Sequence, residues 1–199
     1  MTRIKLCGLS KREHVLWANE VLPDFIGFVF ATSKRRVTME QALSLRALVD
    51  PRIQVVGVFV DEPQERILSL VARQGIDLIQ LHGEESADYI RTLRMRTRLP
   101  IIKALRNPSP HDFESPEALS SDYLLLDARQ PGSGQIFDWS VTKACTKPFF
   151  LAGGLTPENL AQAITTCKPF AVDLSSGVER LGQKDRLRMH QAVACAHRW

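Results

Sequence analysis

Eight short apolar or β-branched runs recur along the chain, each separated from the next by enough residues for a helix, and this rhythm constrains the fold most. The runs are "IKLC" (4–7), "DFIGFVF" (24–30), "IQVVGVFV" (53–60) and "DLIQLH" (77–82), then "PIIKAL" (100–105), "YLLLD" (123–127), "PFFLA" (148–152) and "PFAVDLS" (169–175). Spacings of roughly 20 to 30 residues match a strand plus a crossover helix. Strand–helix alternation predicts an α/β protein with a parallel sheet. Eight repeats predict a closed barrel, and 199 residues is short for one. The expected architecture is therefore a single (β/α)8 TIM barrel over residues 1–199, compact with short loops, as one catalytic domain.

The connecting segments carry helix signals. In "TMEQALSLRALV" Thr38 stands as N-cap and Met39, Ala42, Leu43 and Leu48 fall near one face. "EPQERILSLVARQG" offers Ile67, Leu68 and Val71, with Gly75 as a stop signal. "TPENLAQAI" has Thr156 as N-cap, Pro157 at the first helical position and Glu158 in the first turn. "NPSPHDFESPEALSS" has room only for a short helix.

A formal net charge of +4 attracts anions, a phosphorylated metabolite among them. The lysines and arginines are scattered apart from "SKRR" (33–36) and "RTLRMRTR" (91–98), and no nucleic-acid reader motif accompanies them, so nucleic acid is not expected as a partner. No stretch is apolar enough for a membrane span and no signal peptide is visible at the N-terminus. Cys7, Cys145, Cys167 and Cys195 form neither a CxxC pair nor a zinc spacing with the five histidines. No metal is expected, and a reducing cytoplasm is the expected compartment. Cys145, Cys167 and Cys195 fall on expected helices and read as packing residues.

In such a barrel the active site lies at the C-terminal ends of the strands. Polar residues gather there: Cys7, Gln80, His82, Lys103 with Arg106 beyond it, Asp127, and Asp173 before Ser175. Strand periodicity puts Leu125 and Asp127 on one face, Leu124 and Leu126 on the other, and pairs Cys7 with Lys5. Singly, each has a plain structural alternative: a strand cysteine packs as a small hydrophobe, an aspartate caps a turn, a histidine before Gly83 satisfies one. Glycine-rich stretches follow the last three strands: "PGSG" (131–134), "AGGL" (152–155) and "SSGVE" (175–179). Loops after strands seven and eight commonly cradle phosphate with backbone N–H groups.

These motifs together resemble those of the phosphoribosylanthranilate isomerase family of tryptophan biosynthesis. The likeness runs through "KLCGLS" (5–10), "GFVF" (27–30), "VGVFVD" (56–61), "QLHGEE" (80–85), "IKALR" (102–106), "LLLDA" with "GSGQIFDW", "LAGGLTPENL" (151–160) and "AVDLSSGVE" (171–179). It implies an Amadori rearrangement of an N-ribosylated anthranilate bearing a 5-phosphate, with Asp127 as general acid, Cys7 as general base and no cofactor. It implies a contact to the anthranilate carboxylate from Arg35, in an S-x-R pattern beside Arg36; His82 and Asp173, at their strand ends, are expected to contact substrate as well. Phosphate contacts are implied for Gly132, Ser133, Gly134, Gly153, Gly154, Ser175, Ser176 and Gly177. Lys5 or another cation is expected to lower the Cys7 pKa. The partner is then a phosphorylated small molecule carrying an anthranilate, and the protein a monomer or homodimer. Pro131 stands where the family often has glycine, and Met39 where a proline often opens the helix. The alternatives are a related phosphoribosyl isomerase, histidine-pathway or dual-substrate, and a barrel that binds a phosphorylated ligand without chemistry. Cys7 on strand one and Lys103 on strand five, with no internal repetition, weigh against the former.

Overall fold

The computed structural model describes residues 1–127 and 139–199. All eight expected strands form: β1 (Arg3–Cys7), β2 (Phe25–Val29), β3 (Gln54–Phe59), β4 (Leu78–Leu81), β5 (Ile101–Arg106), β6 (Tyr123–Asp127), β7 (Phe149–Ala152) and β8 (Ala171–Leu174). Each pairs in parallel with its neighbours, and β8 returns to β1 with Lys5 opposite Asp173, closing the barrel. Closure removes both sheet edges, so each of the eight barrel strands is paired on both sides.

Helices α1 (Arg12–Val21), α2 (Met39–Arg46), α3 (Gln64–Ala72), α4 (Ala87–Arg96), α5 (Pro116–Ser120), α6 (Leu160–Cys167) and α7 (Arg186–Arg198) cover the outside. Short 3-10 turns at Pro110–Glu114 and Trp139–Ala144 help to cover it after β5 and β6. A two-stranded hairpin, β9 (Glu179–Arg180) and β10 (Gln183–Lys184), separates β8 from α7. Thr38 caps α2 in a reciprocal box with Gln41, each side chain meeting the other's backbone N–H. The buried face of α2 centres on Ala42 and Leu45; Leu43, expected there, is half-buried. The left-handed residue ending α3 is Gln74, while Gly75 donates back to the Leu70 carbonyl at 2.9 Å and lies tight against Leu43 and Leu70. Gly75 thus serves close packing as well as helix termination. Helix α6 starts later than "TPENL" predicts: Thr156 N–H donates to Asn159 Oδ1, and the helix follows from Leu160. Cys145 lies just past a 3-10 turn, whereas Cys167 and Cys195 are helical as expected; all four cysteines are free thiols.

Two apolar cores follow from strand alternation. Leu124 and Leu126 face the helices with most of the large aliphatic residues. Leu125, Val56, Val58, Ile102, Ala104 and Phe150 fill the barrel interior. At its N-terminal end Phe25, Phe150, Tyr123 and Phe170 pack ring on ring, with centroids 4.9–5.8 Å apart for the closest contacts. The Arg3 guanidinium stacks 4.5 Å over Phe170 and closes that end. Among the described residues the interior is thus filled toward its N-terminal end, and a cavity lies at the C-terminal mouth. Leu125→Ala should cost about 3 kcal/mol of unfolding free energy. Leu119→Ala, at a side chain 64% exposed, should shift it by less than about 0.5 kcal/mol. Denaturant titration of the two variants checks both values.

Candidate active site

The mouth holds a cavity of about 320 Å³ lined by residues from both ends of the chain. Its floor begins at Cys7, the last residue of β1 and nearly buried. Space for that thiol comes from β2: a Cβ on Gly27 would stand 2.8 Å from Cys7 Sγ and 3.2 Å from Lys5 Cε. Lys5, two residues back on the same inward face, is fully buried. Its ammonium donates to Asp173 Oδ2 and to Gln80 Oε1, both at 2.8 Å. Burial works against that charge, but Asp173 and Cys7 outweigh it and leave the Lys5 pKa raised. The other oxygen of Asp173, Oδ1, is buried without a hydrogen-bond partner among the described residues.

From Gln80 the polar contacts continue along one face of β4 and across to β6. The Gln80 amide nitrogen lies 2.9 Å from His82 Nδ1, and His82 Nε2 lies 3.6 Å from Asp127 Oδ2. Asp127 ends β6, level with Arg106 of β5 and Ala152 of β7. Leu125 fills the interior below it, as the alternation predicts.

The opposite wall is made by the loops after β7 and β8. Gly153 and Gly154 adopt φ of 91° and 68°, in the left-handed region open to glycine. Gly177 packs against the Leu155 carbonyl so closely that any Cβ would overlap it. Ser175 Oγ donates to the Cys7 carbonyl at 3.3 Å, tying the β8 loop to β1. From outside, Lys184 Nζ donates to the Ser175 carbonyl at 2.8 Å and Arg188 Nε to the Gly177 carbonyl at 2.9 Å.

Arg35 closes the rim from the loop after β2. Its Nε and Nη2 donate to the two carboxylate oxygens of Glu179 at 2.6 and 2.9 Å. That paired contact fixes the guanidinium and leaves N–H groups for a second anion. Glu179 also meets Lys184 at 3.1 Å and Lys34 at 3.4 Å. Burial raises its pKa, but Arg35 and Lys184 prevail and hold it down at about 2.

The cavity brings together Cys7, Arg35, His82, Asp127, Asp173, Gly153, Gly154, Ser175, Ser176 and Gly177. Gly132, Ser133 and Gly134 lie outside the described residues. Arg36 is exposed and lines a different depression beside Met39, so Arg35 is the arginine of the mouth. Lys103 does not join the site. It sits on the outer face of β5, where it donates to Glu85 at 2.7 Å and to the Gly83 carbonyl at 2.6 Å, because Ile102 and Ala104 take the inward face. The expected lowering of the Cys7 pKa is also reversed: burial pushes the thiol up, and the charges of Lys5 and Lys184 offset only part of it. Glu179, Lys184 and Gly27 escaped the sequence reading; only the glycine left a mark, as a break in the apolar run of β2. Among the described residues no cluster of three His, Cys, Asp or Glu side chains is arranged to hold a metal ion, and no helix is long and apolar enough to cross a membrane.

Residues 4–194 match the family model described as N-(5'phosphoribosyl)anthranilate (PRA) isomerase. The chain is 43% identical over 197 residues to N-(5'-phosphoribosyl)anthranilate isomerase of Endomicrobium trichonymphae, covering 97% of each chain. Its structure is similar to that of the phosphoribosyl anthranilate isomerase of Thermotoga maritima, with a TM-score of 0.88, 37% identity and complete coverage of both chains. A second solved isomerase, in complex with reduced 1-(o-carboxyphenylamino)-1-deoxyribulose 5-phosphate, matches with a TM-score of 0.85 and 35% identity, again over all of both chains. With the closed barrel and the residues gathered at its mouth, these matches establish that the chain belongs to the N-(5'-phosphoribosyl)anthranilate isomerase family.

Proposed function

We propose that the chain performs its family's reaction, the Amadori rearrangement of N-(5'-phosphoribosyl)anthranilate to 1-(2-carboxyphenylamino)-1-deoxyribulose 5-phosphate in tryptophan biosynthesis, with Asp127 as general acid and Cys7 as general base. The observation that carries this reading is the meeting of a carboxyl on β6 and a thiol on β1 in one cavity, three strands apart round the barrel. Asp127 gives its proton to the ribose ring oxygen as the C1–O bond breaks, leaving a Schiff base between C1 and the aniline nitrogen. Electron withdrawal by that iminium acidifies the proton on C2, which the Cys7 thiolate removes. The resulting enolamine takes a proton at C1 as its C2 hydroxyl gives one up, and becomes the aminoketose.

The rest of the cavity suits the ends of this substrate. Arg35 meets the anthranilate carboxylate with the N–H groups that Glu179 leaves unused. His82 lies beside the acid, and Asp173 Oδ1 is an acceptor in want of a donor, such as a sugar hydroxyl. The backbone at Gly153, Gly154 and Ser175–Gly177 receives the phosphate, with Gly132–Gly134 as a further candidate outside the described residues. One barrel over residues 1–199 carries the activity, as a monomer or homodimer; the Thermotoga maritima enzyme is dimeric and has been studied as generated monomers.

Asp127→Asn and Cys7→Ser should each lower kcat by at least ~100-fold while product-analogue binding persists, measured with phosphoribosylanthranilate generated in situ from anthranilate. Failure of folded wild type to turn over would leave a ligand-binding barrel. Arg35→Met should raise KM by about 10–100-fold, and much less for a substrate analogue without the carboxylate. Because burial raises the Cys7 pKa, the thiolate is scarce at neutral pH in the free protein. Its absorbance should therefore titrate with a midpoint above the ordinary thiol value of 9.0.

A further inference from the structure

The mechanism above gives Gln80 no role, although it bridges the neighbourhood of the base to that of the acid. A lysine ammonium has donors and no acceptor. The Gln80 atom 2.8 Å from Lys5 Nζ is therefore the amide oxygen. Asp173, also at 2.8 Å, holds Lys5 in its charged form and keeps that demand in force. With its oxygen committed, Gln80 turns its NH2 group toward His82, 2.9 Å from Nδ1. Nδ1 must then accept, since a proton there would set N–H against N–H. The single ring proton goes to Nε2, the nitrogen 3.6 Å from Asp127 Oδ2.

We infer that Lys5 and Gln80 are positioning residues that hold His82 as its Nε2–H tautomer, so that a donor of fixed direction faces the Asp127 carboxyl. The inference rests on Asp127 being the acid. At 3.6 Å the contact is longer than a hydrogen bond, and such catalytic contacts tighten when ligand fills the site. When Asp127 releases its proton to the ring oxygen, the carboxylate left behind accepts from Nε2–H as the C1–O bond opens. The other tautomer would offer Asp127 a lone pair, an acceptor competing for the proton that the sugar needs. One buried cation thus sets the hydrogen-bonding direction at the acid while standing beside the base.

The test reads the tautomer directly, in protein with 15N-labelled histidine, by long-range 1H–15N correlation, with the His82 signal assigned by its loss in His82→Gln. Wild type should show Nε2 protonated and Nδ1 bare. Gln80→Leu should give a mixture of tautomers and lower kcat roughly tenfold with little change in KM. Gln80→Glu, nearly identical in size and still able to hold Lys5, should put a proton on Nδ1, and it serves if the leucine variant folds poorly. Glutamine at position 82 keeps an N–H near the place of Nε2 whatever its neighbour offers. In the His82→Gln background, Gln80→Leu should therefore lower kcat by clearly less than the tenfold it costs in wild type. Wild type protonated on Nδ1, or a ring proton unmoved in both Gln80 variants, would overturn the inference. Turnover retained by Asp127→Asn alongside the expected tautomers would instead remove the acid role and leave the tautomer assignment standing.

Discussion

An ammonium group fully enclosed in the barrel interior is the interaction on which the site depends. Lys5 sits above packed leucine and phenylalanine, and an uncompensated charge there would cost several kcal/mol. Asp173 compensates the charge and Gln80 takes a second donor. The consequence is directional. Asp173 on β8 and Gln80 on β4 are drawn to one point, and the residues beyond them inherit that orientation. Cys7 stands on the same face of β1, so the charge that organises the floor also bears on the thiol, although burial outweighs it.

A second charged centre organises the rim. Glu179 gathers Arg35, Lys34 and Lys184, and Lys184 in turn holds the Ser175 carbonyl. The loop after β2 and the loop after β8 are thereby joined through one carboxylate. The arginine side of the cavity and its glycine-rich side share this tie. Arg35 and the loop after β8 are thus held by contacts within the protein, and groups already ordered cost less to order on binding.

Much of the fold was legible because it rests on local pattern. "YLLLD" became β6 residue for residue, and the two faces of that strand sorted as alternation requires. Thr38 capped its helix, and the T-x-x-Q signature could have given Gln41 as well. What escaped depends on contacts distant in sequence. Lys103 was placed at the mouth because it is polar on a strand; its partner Glu85 and its outward register appear only when β4 and β5 are side by side. Glu179 lies 144 residues from Arg35, and no spacing announces that pair. The Cys7 thiol was expected to be acidified by a neighbouring cation. The cation is there, but desolvation acts on the same atom and is the larger effect, and desolvation cannot be read from a string of residues.

The contact between Gly177 and the Leu155 carbonyl has a mechanical consequence. Loops after β7 and β8 that touch without an intervening side chain behave as one body: neither swings outward without dragging the other or losing the contact. Lys184 and Arg188 brace that body from behind through its own carbonyls. A phosphate bound between the two loops, as proposed, would therefore rest on a saddle braced from behind.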